Sequence, residues 1–192
     1  MKIVKIPKER VGAIIGQGGE TKKFLEERTG LRIIVDTEEG EVSFDETKTE
    51  DPLLPLKVMD IVKAIGRGFA PHKAFRLLDD DEYLEIMNID DYVGKSSNQL
   101  VRVRARVIGA GGKTRRIIED LVGVHISVYG DTVGIIGNSV QMPVARTAVD
   151  MLMSGSEHAT VYRYLEGKRA ELRIAEMGFE LWPLNIFSFC ER

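Results

Sequence analysis

The chain has 192 residues, 43% of them apolar and 30% charged, with 27 Lys and Arg against 30 Asp and Glu. At about 150 residues per domain this allows one domain or two small ones, and average apolar content with only six prolines argues against a disordered chain. No apolar run approaches the ~20 residues that span a bilayer. The opening Met1-Lys2-Ile3-Val4-Lys5-Ile6-Pro7 lacks the apolar core of a secretory signal, and the single cysteine, Cys190, excludes an internal disulfide or a multi-cysteine zinc site. The expectation is a soluble cytoplasmic protein.

In chain order, Lys2–Ile6 alternates basic and apolar residues and reads as a strand. A short helix over Pro7–Ile14 should end at Gly16, and a second should run from Gly19 to Gly30 with Phe24, Leu25 and Arg28 at helical spacing. Strands are predicted at Leu31–Val35 and Glu41–Phe44, then a helix from Pro55 to Ile65, proline being tolerated in a first turn. After a longer link, a strand at Tyr83–Ile89 is followed by Leu100–Val107, whose alternation of apolar and basic residues favours a strand by period alone. A helix from Gly112 to Gly123, strands at Val124–Val128 and Thr132–Ile136 and a helix at Pro143–Met153 complete the series. Ala159–Met177 reads as a further helix with Tyr162, Leu165, Leu172 and Ile174 as core candidates. The apolar stretch Phe179–Phe187 is expected to pack back on the second half, with a protein-docking patch as the alternative.

The series is a repeat. Laid over Val107–Tyr129 at a shift of 93 residues, Ile14–Asp36 matches at nine of 23 positions without a gap: Ile15/Ile108, Gly16/Gly109, Gly18/Gly111, Gly19/Gly112, Thr21/Thr114, Glu26/Glu119, Gly30/Gly123, Ile33/Ile126 and Val35/Val128. This register makes Leu100–Val107 the partner of Pro7–Ile14 and hence a helix. Two tandem α+β units follow, each a three-stranded sheet with helices packed on one face, with a division at 1–78, connector helix included, and 79–192.

Charge is blocked. Asp36–Asp51 carries eight acids and one lysine, Asp79–Asp91 seven acids and no base, and Leu100–Arg116 six bases and no acid, so the net charge of −3 leaves polyanion binding open on particular faces. The acidic blocks read as solvated loops, with Asp79-Asp80-Asp81-Glu82 able to repel RNA or dock a basic partner. Gly16-Gln17-Gly18-Gly19 and Gly109-Ala110-Gly111-Gly112 would let a phosphodiester approach the main chain, at the positive end of the helix that follows. Lys22, Lys23, Lys113, Arg115 and Arg116 add charge there, and Arg102 and Arg106 form a phosphate track leading to the second loop. Bases would lie on the apolar face near Ile15 and Ile108, against strands carrying Arg32 in the first unit and His125 and Ile126 in the second.

Ile-Ile-Gly-x-x-Gly, a glycine eleven residues later and then an apolar strand resembles the K-homology (KH) domain signature in its type I order, in which the GxxG loop clamps about four nucleotides. The pair covers nearly the whole chain. The link Arg67–Leu78 is similar to the connector of the archaeal Partner-of-Nob family of small-subunit ribosome assembly factors. That resemblance implies single-stranded RNA as ligand, at the 3′ end region of small-subunit rRNA. It also implies the Nob endonuclease and the alpha subunit of translation initiation factor two as protein partners, and neither membrane nor DNA. The eukaryotic relatives look degenerate in the first copy, whereas Gly16–Gly19 is intact here, which leaves direct RNA binding by the first copy open.

The enzymatic rival is a P-loop, since Gly112-Lys113-Thr114 follows a possible strand. That motif needs a glycine at position 107, which is Val107, and the first copy has Gly19-Glu20-Thr21 instead. A scaffold in which the glycines only cap helices is the remaining alternative. His72, His125 and His158 are too scattered for a metal site, and no catalytic set, cofactor or metal is expected.

Overall fold

The computed structural model describes residues 2–45, 51, 53–94 and 97–177. The elements in chain order are β1 (Lys2–Lys5), α1 (Lys8–Ile15), α2 (Glu20–Thr29), β2 (Arg32–Asp36), β3 (Glu41–Asp45), α3 (Leu54–Gly66), α4 (Pro71–Ala74), β4 (Glu82–Asn88), α5 (Asp90–Val93), α6 (Ser97–Ile108), α7 (Lys113–Val122), β5 (His125–Tyr129), β6 (Thr132–Asn138), α8 (Gln141–Met153) and α9 (His158–Glu176). Single 3₁₀ turns lie at Gln17–Gly19, Phe75–Leu78 and Ala110–Gly112. The segment Phe179–Phe187 lies outside the described residues.

Each half is an α+β unit with one antiparallel sheet, in the order β1-β3-β2 and β4-β6-β5. Register sets which side chains turn inward. Val4 and Val35 both oppose Val42, and Ile33 opposes Phe44; in the second sheet Ile126 opposes Ile135 and Val128 opposes Val133. Val11, Ile14, Leu25, Val58 and Ile61 cover the first of these faces, and Val103, Val107, Ile118, Ala148 and Val149 the second. Residues 100–107 are helical, as the repeat register requires. Val103 and Val107, four apart, are both buried where α6 packs on α7 and α8, and the arginines between them fall on the flanks.

The two sheets differ on their outer faces. In the second, the connector after α3 covers it. Phe69 lies so close over Gly134 that a Cβ there would meet its ring at 2.7 Å, and Gly68, at φ +92°, presses on Ser127 and Tyr129. Ser127 Oγ donates to Arg67 O at 2.9 Å, and Ile136 is buried with the core of the first half. Arg10 ties the same corner, donating to Ile65 O at 2.9 Å and Phe69 O at 2.8 Å, with its guanidinium 5.9 Å from the Tyr129 ring centre. Tyr129 OH donates to Glu9.

The far end of the connector is clamped by Arg76, which donates to Glu82 at 2.7 Å, Gly123 O at 2.8 Å and Gln141 at 3.2 Å. Phe75 stacks on Phe24 of α2 with ring centres 4.5 Å apart. The acidic run is therefore more than a solvated loop. Lys57 pairs with Asp80, Arg76 with Glu82, and Arg146 with Glu85 at 3.2 Å. α9 buries Val161, Leu165 and Leu172, whereas Tyr162 and Ile174, expected in the core, are half-buried.

Candidate nucleic-acid interface

The two glycine turns are the same structure built twice. Gly16 and Gly109 sit at φ 77°, ψ 173° and φ 74°, ψ 172°, a region that side-chain-bearing residues hardly enter. A Cβ at either would lie 2.4 Å or 2.2 Å from the hydroxyl of Thr21 or Thr114, the threonine matched in the repeat. The loop is pinned against that threonine, and its outer side is bare: nothing lies within 4 Å of a Cβ built on Gly18, Gly19 or Gly111. The next residues open α2 and α7, whose positive dipole ends lie at the turns; the N–H groups of Glu20 and Lys113 are themselves held by Gln17 O and Ala110 O.

A second pair of identities fixes the neighbouring strand. Glu26 Oε1 accepts the N–H of Ile33 at 2.8 Å, and Glu119 Oε1 that of Ile126 at 2.9 Å. Each carboxylate thus joins the helix after the loop to the strand beside it.

Charge around the loops is uneven. Lys113 and Lys23 are exposed, and Lys22 lies 4.0 Å from Glu26. Arg115 Nε is 3.7 Å from Glu119, while Arg116 folds back to donate to Gly112 O at 3.3 Å and to Gly111 O, placing its charge on the loop. Arg102 is exposed on α6, about two turns before Gly109. Arg32 is exposed on β2, and Ile15 and Ile108 are half-buried where α1 and α6 end.

Three expected site residues do not join them. Arg106 donates to Leu152 O in the last turn of α8 at 3.2 Å and to Ser156 O in the turn after it, instead of extending a phosphate track. Ile126 is 2% exposed and its N–H is held by Glu119, so neither its side chain nor its N–H is open to a base. His125 points to the covered face of its sheet, beneath the connector. Burial there, with Lys73 and Arg76 adding to it, holds its pKa below the ordinary histidine value despite Glu119.

Sequence reasoning did not single out Val101 and Ala105. With Ile108 they form a stripe at i, i+4 and i+7 along α6 that leads to the loop, and Val101 is 56% exposed. The missing signal was the helical period itself, hidden under the alternation of arginines. Among the described residues no cluster of His, Cys, Asp and Glu could hold a metal ion, and no helix is long and apolar enough to cross a membrane.

Order of elements, sheet order and twin GxxG turns define a tandem KH protein of type I. The family description "KH domain" matches residues 1–51, and "Eukaryotic type KH-domain (KH-domain type I)" matches residues 83–170. The chain is 43% identical over 182 residues to a KH domain-containing protein of Methanocaldococcus jannaschii, covering 95% of this chain and 79% of that one. It is 30% identical over 175 residues to the pre-rRNA-processing protein pno1 of Schizosaccharomyces pombe, covering 90% and 73%. Among solved structures it is similar to Dim2p from Pyrococcus horikoshii, with 53% identity, a TM-score of 0.81 and coverage of 86% of this chain and 98% of that one. It is likewise similar to a chain of the a/eIF2alpha–aDim2p–rRNA complex from the same organism, at 51% identity, TM-score 0.83 and coverage of 89% and 94%. The chain belongs to the Pno1/Dim2 family of KH-domain ribosome assembly factors of the archaeal type.

Proposed function

We propose that the protein is a non-catalytic RNA-binding factor that holds single-stranded small-subunit rRNA, at its 3′ end region, across the two GxxG loops during ribosome assembly. The units 1–78 and 79–192 each contribute one loop. The observation that carries this reading is the open space over Gly18, Gly19 and Gly111 on the outer side of the turns, each pinned from behind by a threonine and followed by a helix N-terminus and basic side chains. A phosphodiester fits such a surface because no Cβ keeps it from the main chain. Bases would then lie over Val101, Ala105 and Ile108, or over Ile15 in the first unit. Lys22, Lys23 and Arg32 serve the first loop, and Arg102, Lys113, Arg115 and Arg116 the second, which makes the second the stronger site. The solved complex of a relative with rRNA and a/eIF2alpha supports both RNA and that factor as partners. The Nob endonuclease is proposed from family resemblance.

The test is fluorescence anisotropy with a short single-stranded RNA copied from the 3′ end of small-subunit rRNA. Wild type is compared with Gln17→Asp/Gly18→Asp and Ala110→Asp/Gly111→Asp. Gly18 and Gly111 lie in the left-handed region at φ 62° and 58°, where aspartate is tolerated, so the fold should survive. Affinity should fall at least about tenfold in the second variant, less in the first, and wild-type binding should weaken with salt. Unchanged binding in both folded variants would make the glycines mere helix caps and turn attention to protein docking.

A further inference from the structure

α9 has no counterpart in the first half, where α3 runs into the connector instead. Its first two turns lie against the second loop. Tyr162 OH is 3.0 Å from the hydroxyl of Thr114, the residue that pins Gly109, and His158 Nε2 is 3.0 Å from Arg106 O at the end of α6. Between α9 and the loop opens a cavity of about 410 Å³. Its walls include Arg106, whose guanidinium is tied to Leu152 O and Ser156 O, together with Gly109, Ala110, Lys113, His158 and Tyr162. Its size falls within the range of small-ligand sites.

The chemistry of its walls is divided. One side is the loop itself, with the exposed ammonium of Lys113 at the start of α7. The other carries two half-buried rings, His158 and Tyr162, whose centres are 6.2 Å apart and whose planes are inclined at 53°, so they are not stacked on each other. A cation suits a phosphate, and aromatic faces suit a base. One wall is the GxxG turn itself, so a phosphate held at that turn lies next to the cavity.

We propose that this cavity is a nucleotide subsite present in the second half alone. The base of one RNA residue stacks on Tyr162 and His158, and its phosphate meets Lys113. The inference rests on the RNA-binding reading and deepens it: the second loop holds one residue more than the first, and α9 supplies the ring face for it.

The test uses the full chain and single-stranded oligoribonucleotides of about eight residues, twice what one GxxG loop clamps. Each base is replaced in turn by an abasic site, against wild type and Tyr162→Leu. That substitution keeps an apolar side chain and removes the ring. One abasic position should weaken wild-type binding about 5- to 150-fold, the range of a lost base–aromatic stack. The same position should cost Tyr162→Leu nothing further, with the salt slope unchanged, because no phosphate contact is lost. Photo-crosslinking of wild type with 4-thiouridine at that position, mapped by mass spectrometry, should label α9 at His158–Tyr162 and does not depend on the variant folding. Binding without such coupling, and crosslinks confined to other elements, would overturn the subsite while leaving RNA binding intact. Absence of any RNA binding by wild type would overturn both readings.

Discussion

At the scale of single residues, the glycines of the two turns separate into those that hold shape and those that leave space. Gly16 and Gly109 have backbone angles closed to other residues and no room for a Cβ beside Thr21 and Thr114, whereas Gly18 and Gly111 face open space. Gly109→Ala is expected to lower stability by about 1–3 kcal/mol, and Gly111→Ala by about 1 kcal/mol, as read by urea denaturation. Equal costs would contradict the pinning role assigned to Thr114. His125 supplies a pH dependence. Its folded pKa lies below the ordinary 6.5 because of burial and then Lys73 and Arg76. The unfolded chain therefore binds the proton more readily, so stability is complete above about pH 6.5 and declines as pH falls toward the folded pKa. Thermal melts from about pH 7.5 down to pH 5 should show a steeper loss for wild type than for His125→Asn. These residue roles were legible to different degrees. Repeat identities marked Thr21/Thr114 and Glu26/Glu119 without saying why; the threonines' close approach to Gly16 and Gly109, and the carboxylates' hydrogen bonds to the N–H of Ile33 and Ile126, now do. Alternation along β5 distinguished the two faces near His125, but what covers a face is tertiary and left no local mark. The same holds for Arg106, whose partners are carbonyls at the end of α8 and in the turn after it.

At the scale of elements, α6 shows why period alone was insufficient. Arginines at every second position from 102 to 106 mimic a strand, yet Val103 and Val107 also stand one helical turn apart, and only the register with α1 decides between them. Helix and strand boundaries otherwise lie within one or two residues of those expected, since turn glycines and prolines mark them. The connector was legible as a link and not as a clamp, because its partners lie 47 and 65 residues away in the chain. Arg76 there faces Glu82, which is only 9% exposed. Arg76→Met strands that carboxylate, and a loss of about 2–4 kcal/mol is expected in chemical denaturation. Phe69→Ala empties the space over Gly134 and should cost about 3–5 kcal/mol by the same measurement. A cost below about 1 kcal/mol for either would mean that the connector is not held on the second sheet.

At the scale of the whole molecule, the two halves share one sequence plan and use their sheets differently. The outer face of the second sheet is filled by the connector and joins the first core through Ile136, while Ile3 and Ile34 on the corresponding face of the first sheet are exposed. Arg10, Tyr129 and Glu9 fasten the halves at one corner, and Arg76 and Lys73 fasten the connector at the other. The tandem plan could be read from the repeat, since glycines and β-branched residues recur in register. The asymmetry could not, because it depends on which copy the connector folds onto. The central claim is that RNA meets the bare backbone of the two turns. The most direct measurement is a two-dimensional amide NMR titration of the ¹⁵N-labelled chain with single-stranded RNA from the 3′ end of small-subunit rRNA. The largest shifts are expected at the amides of Gly16–Glu20 and Gly109–Thr114, the second set at lower RNA concentration. Shifts that spare both turns while RNA binds elsewhere would contradict the account.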